Sequence, residues 1–200
     1  MLKKLLIVGV GGVGSYLTRA LHNYDSNHQL YNLQITIADG DEVDTKNLVY
    51  QNFTNDDLME NKARCLGHRY SFIYIDRFLE IPKDVESYDA IISAVDGTMF
   101  RKQLFDYVFN KNKKIYWIDL RATGKTVACY SKHKKLTYEY MMSTLPSDDV
   151  ENGSCQLPFE LNSNIIQGGN RIIAEIGAQL ILNWYRGTSE LSPYKFLYNF

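Results

Sequence analysis

The chain has 200 residues, 45% of them hydrophobic, and a formal net charge of −1 at pH 7. That length suits one domain whose core needs no covalent staples, and the near-neutral balance gives no electrostatic reason to expect nucleic-acid or membrane binding. Three scattered cysteines, Cys65, Cys129 and Cys155, argue against a disulfide framework and, lacking any Cys-x-x-Cys spacing, against structural zinc.

The continuous apolar run Leu5 to Val8 predicts a parallel strand buried on both faces. It is short and ends in glycines, so it reads as a first strand instead of a signal peptide. No stretch has membrane-spanning length, and a cytoplasmic protein is expected. Val13, Leu17, Ala20 and Leu21 then fall at helical spacing. Leu33 to Ala38 predicts a second strand ending in Asp39-Gly40-Asp41. A helix is expected near Lys62 to Tyr70, a third strand over Phe72 to Ile75 and a fourth over Asp89 to Val95. Phe100, Leu104, Phe105 and Val108 mark a further helix, and Ile115 to Leu120 a further buried strand. Alternating strands and helices imply an α/β fold, Rossmann-like, with a mainly parallel sheet.

The pattern changes after Thr126. Thr126 to Ser131 predicts a strand that begins an antiparallel tail, and residues 132–163 form a long loop without clear periodicity, of the length that usually carries function. A long C-terminal helix is expected through Ile165, Ile172, Ile173, Ile176, Leu180, Ile181 and Trp184, ended by Gly187. One domain spans residues 1–200.

The first strand and helix enclose Gly9-x-Gly11-Gly12-x-Gly14. In such a loop one glycine permits a tight turn, a second lets backbone approach a phosphate, and a third packs helix against strand. Unpaired N–H groups at the following helix N-terminus face the anion. This predicts nucleotide binding without choosing between NAD and ATP. Asp39, 25 residues past Gly14, is placed to accept hydrogen bonds from ribose hydroxyls, while Asp41 would hold the ribose or order the turn.

The stretch Asp39-Gly-Asp-Glu-Val-Asp-Thr-Lys-Asn47-Leu-Val-Tyr50-Gln51, followed by Asn61-Lys62-Ala63, resembles the ThiF/MoeB branch of the ubiquitin-activating-enzyme superfamily. Asp96-Gly-Thr-Met-Phe-Arg101 and Gly153-Ser154-Cys155-Gln156 resemble further segments of that family, in family order. In its compactness, its Cys155 segment and its terminal helix the chain also resembles the small ThiF-like proteins of bacterial mobile elements, including the PRTRC type. The resemblance implies an ATP-dependent adenylyltransferase that activates the C-terminal carboxylate of a ubiquitin-like or sulfur-carrier protein, with a Gly-Gly tail, as an acyl-adenylate. It further implies a homodimer; many family members carry a structural zinc, but without Cys-x-x-Cys pairs none is expected in this chain. Gly9, Gly11, Gly12, Gly14, Asp39, Asp41, Asn47 and Gln51 would bind ATP. Lys62 would bring charge to the phosphates, Asp96 would hold magnesium through ATP, and Cys155 is a candidate acyl acceptor.

One departure stands out: the family's N-L-x-R-Q reads Asn47-Leu-Val-Tyr50-Gln51, so a phenol replaces a guanidinium and brings no charge. Arg121 or Arg101 could replace that charge, which makes Arg121 a candidate catalytic residue. Alternatively the chain is a nucleotide-binding scaffold impaired in catalysis. An NAD(P)-linked oxidoreductase would use the glycine loop and Asp39 but gives no work to Asn47, Gln51, Lys62 or Asp96. Cys65, Cys129 and the histidines read as packing or surface residues.

Overall fold

The computed structural model describes residues 2–27, 30–123, 126–146, 168–191 and 193–199. Its centre is a seven-stranded sheet in the order β3-β2-β1-β4-β5-β6-β7. Strands β1 (Lys3–Val8), β2 (Leu33–Ala38), β3 (Ile73–Ile75), β4 (Ala90–Ser93) and β5 (Tyr116–Thr123) run parallel, while β6 (Thr126–Ser131) and β7 (Lys195–Asn199) are antiparallel to their neighbours. The α/β class, the mainly parallel sheet and the antiparallel tail are therefore as the sequence predicts.

Strand alternation divides the core between two faces. Leu5 and Ile7 join Ile35, Ile37 and Ile118 under α1 (Gly12–Ser26), α2 (Lys62–Tyr70) and α5 (Gly169–Tyr185). Leu6 and Val8 join Ile91 and Trp117 under α3 (Thr98–Asp106) and the short α4 (Tyr138–Ser143). Because both faces are covered, the central strands read as unbroken apolar runs. Cys129 is buried in the first of these layers, and Cys65 packs against it. Burial raises both thiol pKa values, that of Cys65 to about 11, so neither is a thiolate near neutrality.

Two elements depart from the sequence reading. The short helix α4 lies inside the stretch expected to be loop; its Thr137 cap accepts the Tyr140 N–H at 3.2 Å, and Met141 is its buried residue. The last strand, β7, was not foreseen: it is an edge strand with four of its five residues exposed, so burial imposes no alternation on it. The long helix begins, as described, at Gly169 and ends before Gly187, whose φ of +76° suits glycine.

Two glycines fix the turn between β1 and α1. Gly9 has φ +84°, and a Cβ there would stand 2.9 Å from the Ala94 carbonyl carbon. At Gly14 a Cβ would stand 1.9 Å from the Gly9 carbonyl oxygen, a clash with backbone that no rotamer relieves. Gly14→Ala should therefore lower the unfolding free energy by about 3 kcal/mol, whereas Gly97→Ala, with nothing within 4 Å of the added carbon, should stay within about 0.5 kcal/mol of the parent. Urea melts of the two variants check this; equal midpoints would mean that the loop shifts to accept the methyl group.

Candidate active site

The strand order reverses at β1, with β2 on one side and β4 on the other, and a crevice opens beyond the carboxyl ends of these strands. Open α/β sheets bind ligands at this switch point. Here the crevice is a cavity of about 470 Å³. Its walls bring together Gly9, Gly11, Gly12, Asp39, Asp41, Tyr50, Gln51, Lys62 and Asp96, which are far apart in sequence. Gly14, Asn47 and Arg121 do not line it, and Cys155 lies outside the described residues.

Helix α1 opens into this cavity with no side-chain cap and no acidic residue in its first turn, leaving its first N–H groups to an anion. Asp39 closes the far side of the loop. One carboxylate oxygen accepts the Val10 N–H at 2.7 Å and the other accepts the Asp41 N–H at 2.9 Å. Burial raises its pKa, against the opposing pull of the Lys62 ammonium and these two hydrogen bonds.

Lys62 is placed by its own helix start. Asn61 caps α2 by accepting the Arg64 N–H at 3.0 Å, and its amide donates to the carbonyls of Asp39 and Asp41 at 3.0 and 3.1 Å. The Lys62 N–H donates to the Asp41 carbonyl at 2.9 Å, and its nearly buried ammonium pairs with the Asp41 carboxylate at 3.1 Å. Asn47 acts one step away from the cavity. Its side-chain oxygen accepts the Asp44 N–H at 2.9 Å and its carbonyl accepts the Gln51 N–H at 2.9 Å, forming the turn that presents Tyr50 and Gln51. The Gln51 side-chain oxygen is buried with no hydrogen-bond partner among the described residues, and its amide lies 3.7 Å from where a Gly11 Cβ would be. An orphaned polar atom against a glycine cradle fits a polar ligand that is not protein.

The remaining wall was invisible to sequence reading. Arg77, Phe78 and Leu79 come from the segment after β3, and Met99, Phe100 and Gln103 from α3. Phe78 and Met99 are 73% and 66% exposed, unusual for large apolar side chains, and they give one end of the cavity an apolar rim. Arg77 makes a two-pronged pair with Asp84 at 2.7 Å on each side, which holds the Asp84 carboxyl below the usual range and anchors this wall.

The two arginines considered as replacements for Tyr50 share one partner. The fully buried Asp119 carboxylate accepts Arg101 Nε at 2.8 Å and Arg121 Nε at 2.6 Å. Arg101 also donates to the Asp96 carbonyl at 3.4 Å, which puts it beside the crevice. Arg121 points away, donating to the Thr144 carbonyl at 2.8 Å and lying over the Tyr130 ring at 4.9 Å.

A family model for the ThiF family matches residues 2–200. The chain belongs to the ThiF family. Among solved structures it is similar to PaaA, at 17% identity and TM-score 0.68, covering 98% of this chain and 60% of that one. It is similar to E. coli MccB with MccA-N7isoASN at 19% identity and TM-score 0.69, over 99% of this chain and 61% of that one. E. coli TcdA, a tRNA N6-threonylcarbamoyladenosine dehydratase, matches at 16% identity and TM-score 0.67, over 95% and 88%. The chain thus spans about three fifths of the length of PaaA and MccB. No curated protein sequence matches it. Among the described residues, no helix is long and apolar enough to cross a membrane, and no group of three or more His, Cys, Asp or Glu could hold a metal ion.

Two predictions follow from the charges. Replacing Asp119 by Ala leaves the buried Arg101 and the partly buried Arg121 without their shared anion, and should cost about 3–5 kcal/mol in a denaturant melt; a loss under 1 kcal/mol would show that water already solvates them. Asp39 has a folded-state pKa above its unfolded value, so its ionisation opposes folding: stability falls as pH rises through the folded pKa. Paired melts near pH 4 and pH 7 should show the parent losing more stability on that rise than Asp39→Asn. Parallel curves would contradict the assignment.

Proposed function

We propose that the crevice binds ATP and that the chain activates a carboxylate by adenylation, as an ATP-dependent adenylyltransferase. The supporting observation is the single cavity that joins the glycine loop, the orphaned Gln51 oxygen, the Lys62 ammonium and the Asp96 carboxylate. E. coli MccB, a neighbour in fold, has been solved with ATP and also with MccA.

In this reading the α1 N-terminus and the Gly11-Gly12 backbone hold phosphate oxygens, and Asp39 accepts from the ribose. The apolar rim of Phe78 and Met99 takes the base. A substrate carboxylate oxygen attacks the α-phosphorus, the bond from that phosphorus to the bridging oxygen breaks, and pyrophosphate carries away the electron pair. Lys62 stays cationic against the charge that gathers on the phosphates, and because it is nearly buried its field is weakly screened. Gln51 turns its free oxygen toward a donor on the ligand. Asp96, whose carboxylate borders the cavity, would hold magnesium together with ATP phosphates, and the ion would supply charge neutralisation at the leaving group.

The substrate is the C-terminal carboxylate of a ubiquitin-like or sulfur-carrier protein with a Gly-Gly tail, the working assembly is a homodimer, and Cys155 is the candidate acceptor for the activated acyl group. A second reading has a specific observation behind it. Tyr50 lines the cavity where the family has arginine, and Arg101 and Arg121 are both held by Asp119. A scaffold subunit that binds ATP without turning it over fits those facts.

ATP–pyrophosphate exchange with a Gly-Gly-tailed carrier separates the two. In the enzyme reading the parent exchanges label, and Lys62→Ala and Asp96→Ala each lose about 10²–10³ in rate while keeping the parent's melting curve. Exchange that survives both substitutions would overturn the site assignment. Calorimetric ATP binding without exchange, raised by Tyr50→Arg, would establish the scaffold reading.

A further inference from the structure

At the end of the sheet opposite the crevice, two loops lie side by side. Residues 111–115 lead into β5 and residues 132–135 leave β6, and these strands are antiparallel neighbours. Lys132 joins the loops: its N–H donates to the Trp117 carbonyl at 2.9 Å, and its ammonium donates to the carbonyls of Lys113 and Ile115, the latter at 2.9 Å. The two loops carry Lys111, Lys113, Lys114, Lys132, Lys134 and Lys135. Lys111 pairs with Asp106 at 2.9 Å, but Lys113, Lys114 and Lys134 form no ion pair among the described residues.

Between the loops lies a cleft of about 770 Å³, bordered by four of these lysines and by His133. Its other walls include the half-buried rings of Phe109 and of Trp184, which stacks on Tyr116 at 5.9 Å and has the Lys3 ammonium over its ring at 4.8 Å, and Glu190 is its one acidic side chain among the described residues. Exposed lysines crowded this way repel one another, and the fold engages few of them: Lys132 makes the bonds between the loops and the Lys135 ammonium lies over the Tyr194 ring at 5.6 Å. A lone anion gains little from lysines in water. A polyanion gains from several at once, because each neutralised phosphate releases counterions.

We infer that this face binds single-stranded nucleic acid, with the lysines of the two loops on successive phosphates and a base entering the aromatic-walled cleft. An acidic protein would match the charge, but its aromatic side chains are not tied to its carboxylates, whereas a nucleic acid brings a planar base with every phosphate. RNA and DNA share this chemistry. The inference is independent of the crevice, which lies at the other end of the strands.

The test is fluorescence anisotropy with labelled single strands of about 16 nucleotides, one RNA and one DNA. The expected result is binding in at least one arm, the tighter arm naming the sugar, with log K falling against log salt at a slope of about −3. Replacing Lys113, Lys114 and Lys134 together by Gln should weaken binding at least tenfold and remove most of that slope, with melting temperature and ATP binding unchanged. Absence of binding in both arms, or equal binding by parent and variant, overturns the inference. So does displacement of the strand by polyglutamate at equal charge concentration, which would reassign the face to an acidic protein.

Discussion

The carboxylate of Asp39 holds the crevice in shape. It ends β2, yet its oxygens bind the glycine loop through Val10 and the next turn through Asp41, so two strand ends are tied at one point. Asn61 then reaches the carbonyls of Asp39 and Asp41, which sets the start of α2 and with it the position of Lys62. A buried carboxylate is costly, and that cost appears in its raised pKa. The same desolvation makes it a strong acceptor once a ligand brings hydroxyl donors. The glycine loop, the acidic turn and the lysine are thus one hydrogen-bonded unit, although they span more than fifty residues of sequence.

That coupling explains what the sequence revealed. The turn residues Gly9 and Gly14, the strand-ending Asp39 and the helix-starting Lys62 sit where local periodicity breaks, so pattern and motif place them without tertiary information. Central strands such as β1 and β4 are legible because burial on both faces leaves continuous apolar runs. The exposed strand β7 and the one-and-a-half-turn α4 bury too little to print a period. The apolar wall of the cavity was hidden for another reason. Arg77 to Leu79 follow a three-residue strand, and Met99 and Gln103 sit on the outward side of α3, so only the fold brings them to the glycine loop. Asn47 was legible as a motif residue, but its work is internal: it shapes the turn that delivers Tyr50 and Gln51.

Tyr50 and the Asp119 cluster bear on the same electrostatic problem. Two guanidiniums share one buried carboxylate, leaving an excess positive charge near the carboxyl ends of β4 and β5. Such a cluster is most favourable where each N–H finds an acceptor, yet one Arg121 nitrogen is buried without one among the described residues. Arg101 reaches the backbone of Asp96 and so lends its field to the crevice; Arg121 is turned toward Tyr130 and Thr144. Arg101 comes from α3 and Arg121 from β5, and they meet at one carboxylate. Orientation separates them, because the further contacts of Arg101 run to the Asp96 and Leu120 carbonyls and those of Arg121 to Thr144 and the β6 residue Tyr130.

Charge is also spread unevenly over the two ends of the sheet. Asp39, Asp41 and Asp96 follow strands at their carboxyl ends, beside the uncapped N-terminus of α1, while Lys113, Lys114, Lys134 and Lys135 gather where β5 begins and β6 finishes. A net charge of −1 averages over this separation, which is why composition argued against polyanionic partners. Net charge sets solubility and long-range drift, but a binding partner meets only the local field, within roughly a Debye length of 8 Å in physiological salt. The two loops become neighbours only through the antiparallel pairing of β5 with β6. A sequence separates them by twenty residues and shows two ordinary basic runs; the hydrogen-bonded register turns these into one surface.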